Sequence, residues 1–203
     1  MPVILEGDLT PELTRKFLSG TDIGVDLEMM GLNPLRDRLC LVQITNRAGV
    51  SVFVKSPKRP CPNLRTLFED EKVQKVFHFA RMDIGFLLHH LGIRVKRIFC
   101  TRTASKLVRT YTEAHGLKDV VQELLGIQLD KTVKHTDWAS DVLSEQQIKY
   151  ALQDAAVMIP LKDCLVPMLE REGRSELAEK CFEVIPVMAE LDLLGFERLF
   201  EHH

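Results

Sequence analysis

Ile23-Gly24-Val25-Asp26-Leu27-Glu28 alternates with a period of two. That period is a strand, whose successive side chains point to opposite faces. Ile23, Val25 and Leu27 take one face; Gly24, Asp26 and Glu28 take the other. The apolar face needs a core to cover it. The other sets two carboxylates side by side, and like charges so placed repel unless something positive lies between them. A hard divalent cation such as Mg²⁺ or Mn²⁺ takes oxygen ligands of this kind. The competing reading is the solvent-facing end of an edge strand.

Leu39 to Thr45 and Val50 to Val54 are also β-rich, with a hairpin-like turn at Asn46-Arg47-Ala48-Gly49 between them. Three such runs predict an antiparallel meander. The pattern then changes. Apolar runs at Val73–Phe77 and Arg97–Cys100 alternate with helical segments near 63–70, 83–91, 102–110 and 117–125, as parallel strands with crossover helices would. A further helix starts at Thr10-Pro11-Glu12, with proline at its first position. The last third is helical. Ser144 and Gln147 form a capping box for a helix from about Glu145, which Pro160 and Pro167 should kink or divide. A last helix runs from about Ser175 toward Leu194, interrupted near Pro186. The fold class is therefore α/β: a mixed sheet, an antiparallel meander followed by parallel strands, flanked by helices. Ser56–Pro62 and Asp130–Ser140 read as loops within a single domain over residues 1–203.

Two further acids join the first pair. Tyr150 and Asp154 are four apart, so on a helix they stack on one face. Ile148, Leu152, Ala155 and Ile159 predict the main apolar stripe, with Tyr150, Asp154, Val157 and Leu161 opposite and Lys149/Gln153 exposed. A carboxylate among apolar residues needs a partner, a metal or an arginine. Asp83 stands at or within the first turn of the helix carrying Ile84, Leu87, Leu88 and Leu91, where capping alone would also favour it. Two-metal phosphoryl-transfer sites need several converging carboxylates, and a phenol can hold the attacking water in line. Asp26, Glu28, Asp83, Asp154 and Tyr150 supply such a set.

In this order the motifs resemble the tyrosine-bearing DEDD exonucleases, and ribonuclease D-like proteins in particular. Supporting stretches are Val25–Pro34, Arg38–Ile44, Phe77–Asp83, His115–Lys118 and Asp137-Trp138 through Tyr150–Ala155, so the likeness covers about residues 3–195. It is greatest to the short bacterial form made of the exonuclease domain alone, without the C-terminal helical nucleic-acid-binding domains. The resemblance implies a ribonuclease H-like fold and 3′→5′ hydrolysis of RNA to nucleoside 5′-monophosphates, with tRNA or structured RNA 3′ ends among its substrates. It implies two divalent cations, Mg²⁺ or Mn²⁺. Asp26, Glu28 and Asp154 would hold the first; Asp26 would bridge to the second, held by Asp83 mainly through water. Tyr150 would orient the nucleophilic water. Leu27 stands where many relatives carry threonine, Phe79 where many carry asparagine, and Met82 in place of a common aromatic residue.

The expected partner is single-stranded or 3′-overhang RNA. DNA is the alternative, because the same acids serve both polymers, and a catalytically silent RNA-binding module is the alternative from a different class. Met29 and Met30 follow the acidic pair and are candidates to pack on the terminal base, as is Phe79; core packing is the other reading of all three. No acid occurs between Ile84 and Thr112, where Arg94, Lys96, Arg97, Arg102, Lys106 and Arg109 accumulate; this is either a phosphate-binding strip or a solvated surface. Arg36, Arg38, Lys55, Lys58 and Arg59 are a candidate second rim. His78, His89, His90 and His115 lack ligand spacing and read as structural. Trp138 reads as a packing anchor, and Gln43, on an expected central strand, is a candidate support for the acidic pair.

Composition excludes several classes. Lys+Arg 27 against Asp+Glu 29 gives −2, which excludes binding by bulk positive charge. No run approaches a membrane span and no signal peptide opens the chain. Cysteines at 40, 61, 100, 164 and 181 form no C-x-x-C pair, so a reducing, cytoplasmic setting is expected. No membrane partner is expected, and the chain is expected to be a monomer. His202-His203 are given no function.

Overall fold

The computed structural model describes residues 1–129 and 136–201. The loop expected over Asp130–Ser140 lies partly, and His202-His203 wholly, outside the described residues.

The strands are β1 (Val3–Glu6), β2 (Asp22–Met29), β3 (Leu39–Asn46), β4 (Ser51–Lys55), β5 (Gln74–Phe77) and β6 (Ile98–Cys100). They form one sheet in the order β1-β4-β3-β2-β5-β6. β2, β3 and β4 pair antiparallel; β5 runs parallel to β2, and β6 to β5. The expected meander followed by parallel strands is present. β1, parallel to β4 at the sheet edge, was not foreseen. It is four residues long and mostly exposed, so it carries no usable alternation.

Helices α1 (Pro11–Leu18), α2 (Pro62–Phe68), α3 (Ala80–Phe86), α4 (Thr101–Val108) and α5 (Leu117–Leu125) fall between or after strands. α6 (Glu145–Ala156), α7 (Met158–Arg171) and α8 (Ser175–Leu193) follow. None of the described helices is long and apolar enough to cross a membrane. Ile23, Val25 and Leu27 are buried in the main core, as their alternation required. Leu41 and Phe53 form a second cluster with Trp138, Tyr150 and Ala151, beneath α6.

Four local expectations are corrected. α3 starts at Ala80, not 83, and passes into a π-helical turn over Leu87–Leu91. The long helix divides at Val157, not at Pro160. Pro160 is the third residue of α7, where an amide N–H has no helical partner to lose. α8 runs through Pro186 without a break. α6 buries Gln147, Tyr150, Ala151, Asp154 and Ala155, while Ile148 and Leu152 are only half-buried. Of the expected stripe only Ala155 and Ile159 are fully buried, because α6 packs on the sheet face that carries the acids and covers the Tyr150/Asp154 side.

Gly24 sets how closely that helix approaches. A Cβ there would lie 2.4 Å from the Ala155 carbonyl oxygen and 2.9 Å from Met158 Cβ. Any side chain would push the α6–α7 junction off β2, two residues from Asp26.

The other end of the junction is tied by charge. Asp22 is 1% exposed and accepts hydrogen bonds from Arg47 at 2.6 Å and Lys162 at 2.9 Å. Burial pushes its carboxyl up, but these bonds outweigh it and hold the group at about 2 against an ordinary 3.8. A depressed folded value stabilises the protein above the unfolded value and is lost as pH falls through the folded one. Asp22→Asn should therefore lower stability by about 1–2 kcal/mol at pH 6, allowing for the solvent around Arg47. The gap from wild type in urea midpoints should close as pH falls from 3.8 toward 2. A gap that widened on acidification would contradict this.

Candidate active site

Asp26 and Glu28 reach the site from β2, on the face opposite its core residues. The β2–β3 register shifts between Glu28 and Met29, an irregularity that re-aims the following side chains. Asp83 lies in the first turn of α3. Tyr150 and Asp154 come from α6, whose start is fixed by the expected capping box: Gln147 N–H to Ser144 Oγ at 3.2 Å and Ser144 N–H to Gln147 Oε1 at 2.9 Å. The Gln147 amide also donates to the Asp137 carbonyl at 3.1 Å, tying α6 to the segment that carries Trp138.

All five side chains line one cleft of about 630 Å³. Glu28, Asp83, Tyr150 and Asp154 are buried at 5–8% exposure, and Asp26 is partly open. Burial pushes the Asp26 carboxyl well above its usual range, and Asp154, Glu28 and Asp83 push it further. Burial likewise raises Asp83. The Tyr150 phenol is raised by burial and then by Asp154, Glu28 and Asp26. The donor set is all oxygen and mutually repulsive, which suits a hard cation. Among the described residues, no three acidic, His or Cys side chains close to the spacing of a finished metal site. The acids share the cleft without collapsing onto one point.

Met29 and Met30 also line the cleft. Met29 packs partly on the core, whereas Met30 is 49% exposed. Phe79 caps α3 in the left-handed region at φ 70 and is 41% exposed, so core packing is the wrong reading for it. The Arg102 guanidinium lies 4.8 Å from the centre of its ring. Among the described residues, Arg102 is the only lysine or arginine lining the cleft.

Much of the wider basic strip is paired within the fold. Arg94 pairs with Glu190, Lys96 with Glu71, and buried Arg109 with Glu123. In the second rim, Arg36 pairs with Asp37, Arg38 donates to Ser56, Lys55 pairs with Glu6, and Arg59 donates to carbonyls at 88–90. None of these lines the cleft. For Arg94 and Lys96 the partners lie far along the chain, where composition alone could not place them.

His90 and His115 are bonded within the fold, to the Asp37 carbonyl and Ser105. His78, bonded to Thr101 at 2.9 Å, also borders the cleft, as do Gly116 and Leu117. Sequence reading left those three out of the site; the signal was their place in the Phe77–Asp83 and His115–Lys118 stretches. Trp138 is buried, with its ring centre 6.0 Å from that of Tyr150.

The 3′–5′ exonuclease family model matches residues 3–170. The chain belongs to this family. The chain is 29% identical over 188 residues to ribonuclease D of Sphingobium indicum, covering 91% of its own length and 48% of that protein. It is 33% identical over 153 residues to ribonuclease D of Gluconacetobacter diazotrophicus, covering 75% and 39%. It thus spans about half or less of the length of these relatives. Brucella melitensis NrnC, solved with bound Mg²⁺, is 39% identical with a TM-score of 0.91, covering 100% of both chains. The same protein bound to pGG is 40% identical with a TM-score of 0.91, again over 100% of both. These matches make the chain ribonuclease D-like, with a ribonuclease H-like fold.

Proposed function

We propose that this exonuclease is a divalent-metal-dependent 3′→5′ exoribonuclease that takes nucleoside 5′-monophosphates from a free 3′ end, using two cations. The observation that carries the reading is the convergence of Asp26, Glu28, Asp83 and Asp154 on one cleft, where each raises the cost of charge on Asp26. The ribonuclease D relatives and the Mg²⁺ and pGG complexes of NrnC support it. The NrnC complex also favours short oligonucleotides among the substrates.

In this reading Asp26, Glu28, Asp83 and Asp154 would hold the cations between them. Bound cations would lower the pKa of the attacking water and neutralise charge gathering on the phosphoryl oxygens. Asp26 and Glu28, fixed on a central strand, hold their oxygens in place. Tyr150 orients the water in line with the bond to be broken. The water gives up a proton as its oxygen bonds to phosphorus, the P–O3′ bond breaks, and O3′ takes up a proton, so the shortened chain keeps a 3′-hydroxyl. Met30 and Phe79, both exposed at the cleft, pack on the terminal base without reading its edge. All five cysteines are free thiols, in keeping with work in the cytoplasm.

Arg102 contacts the substrate phosphate, steadied by stacking on Phe79. Arg102→Ala should raise KM about tenfold, leave kcat within about twofold, and reduce the slope of log affinity against log salt by about 0.7, the value for one contact to a single strand. An unchanged KM and salt slope would remove Arg102 from the substrate path.

The decisive test uses 5′-labelled RNA, its DNA twin and a two-nucleotide RNA, each with Mn²⁺, Mg²⁺ or EDTA. Shortening from the 3′ end, faster on RNA and abolished by EDTA, is the expected result. Faster DNA cleavage would move the assignment to a DNA exonuclease. Binding without cleavage under any metal would make the chain a silent RNA-binding module.

A further inference from the structure

Gln43 stands directly opposite Asp26 in the antiparallel β2–β3 register. Residues paired this way project to the same face with Cβ atoms about 5 Å apart. Gln43 is 0% exposed, and among the described residues neither its Nε2 nor its Oε1 has a hydrogen-bond partner. A buried amide left unpaired is costly, and native interiors keep few of them. Its other surroundings are apolar: Phe53 is its register partner on β4, and Leu41 lies two residues away on the same face. Both belong to the cluster of Tyr150 and Ala151 beneath α6. The ionisable group the register sets beside the amide is the Asp26 carboxylate.

We infer that Gln43 is a positioning residue: when the acids hold their cation, its Nε2 donates to Asp26 and fixes the orientation of that carboxylate. Asp26 is the acid with most need of such a guide, since it is partly open to the cleft and faces three like charges. A side-chain amide suits the task because it adds a donor without adding charge. Partners that orient a ligand in this way typically change metal affinity by 10–100-fold when removed. The inference rests on the proposed metal dependence.

The test compares wild type, Gln43→Met, which keeps the length and removes both polar atoms, and Phe53→Leu, which disturbs packing on the other side of Gln43. Mn²⁺ binding to metal-free protein is measured by calorimetry, and Tm without metal by scanning. Gln43→Met should bind Mn²⁺ at least about tenfold more weakly with Tm unchanged or raised, because removing an unpaired buried amide is not destabilising. Phe53→Leu should lower Tm and keep Mn²⁺ affinity within about threefold. Wild-type affinity in Gln43→Met would overturn the inference, as would equal loss in Phe53→Leu. If Gln43→Met fails to fold, Gln43→Leu takes its place under the same criteria. Failure of wild type itself to bind Mn²⁺ or Mg²⁺ would instead overturn the proposed metal dependence, and this inference with it.

Discussion

Asp26→Asn should reduce 3′→5′ hydrolysis at least about a thousandfold and leave the protein folded, with Tm unchanged or higher. Asparagine keeps the shape and removes the charge. In the resting protein that relieves a carboxylate which burial and three neighbouring acids oppose. In the proposed mechanism it removes a carboxylate that would hold the cations. A thousandfold is about 4 kcal/mol of lost transition-state stabilisation, within what a correctly held cation supplies. Asp154→Asn should behave alike, since Asp154 opposes the Asp26 charge more strongly than Glu28 or Asp83 does. Single-turnover cleavage and thermal melts of each variant check both halves. Activity within tenfold of wild type in both would end the carboxylate assignment. Loss of activity with loss of folding would show that these acids are structural.

The opposed signs of those two effects explain why the site was legible in the sequence. The strand alternation at residues 23–28 set two acids on one face with no basic residue between them, and a fold does not gather such charges for stability. The four-residue spacing of Tyr150 and Asp154 survived although the face of α6 was misread, because spacing fixes which residues stack while the packing partner decides which side is buried. What stayed illegible depends on partners far along the chain. Nothing in the sequence around Gly24 shows that the Ala155 carbonyl stands against it. Arg109 looked like a phosphate contact until Glu123 took it. Phe79 stayed open between base packing and core packing because nothing local signals its left-handed backbone or the guanidinium over its ring.

Tyr150→Phe should lower kcat about a hundredfold and leave KM and Mn²⁺ affinity within about twofold. The ring is fixed by packing: it is 6% exposed, stands against Trp138 and Ala151, and phenylalanine fills the same space. Only the hydroxyl is lost. That hydroxyl faces the acids and bonds to Asp154, four residues on along α6, so it shares the cleft with the proposed cation ligands without being one of them. Removing a group that orients the attacking water costs rate at the chemical step, typically 10²–10⁴-fold for a positioned side chain. It does not weaken binding of substrate or cation, which other side chains hold. Stability should fall by only about 1 kcal/mol, the net worth of one hydrogen bond. Steady-state kinetics, calorimetry and a thermal melt separate the alternatives. A raised KM at constant kcat would make Tyr150 a substrate-binding residue. Weaker Mn²⁺ binding would mean that the hydroxyl acts by holding Asp154. An unchanged kcat would remove it from the mechanism and leave the in-line geometry of the water to the carboxylates alone.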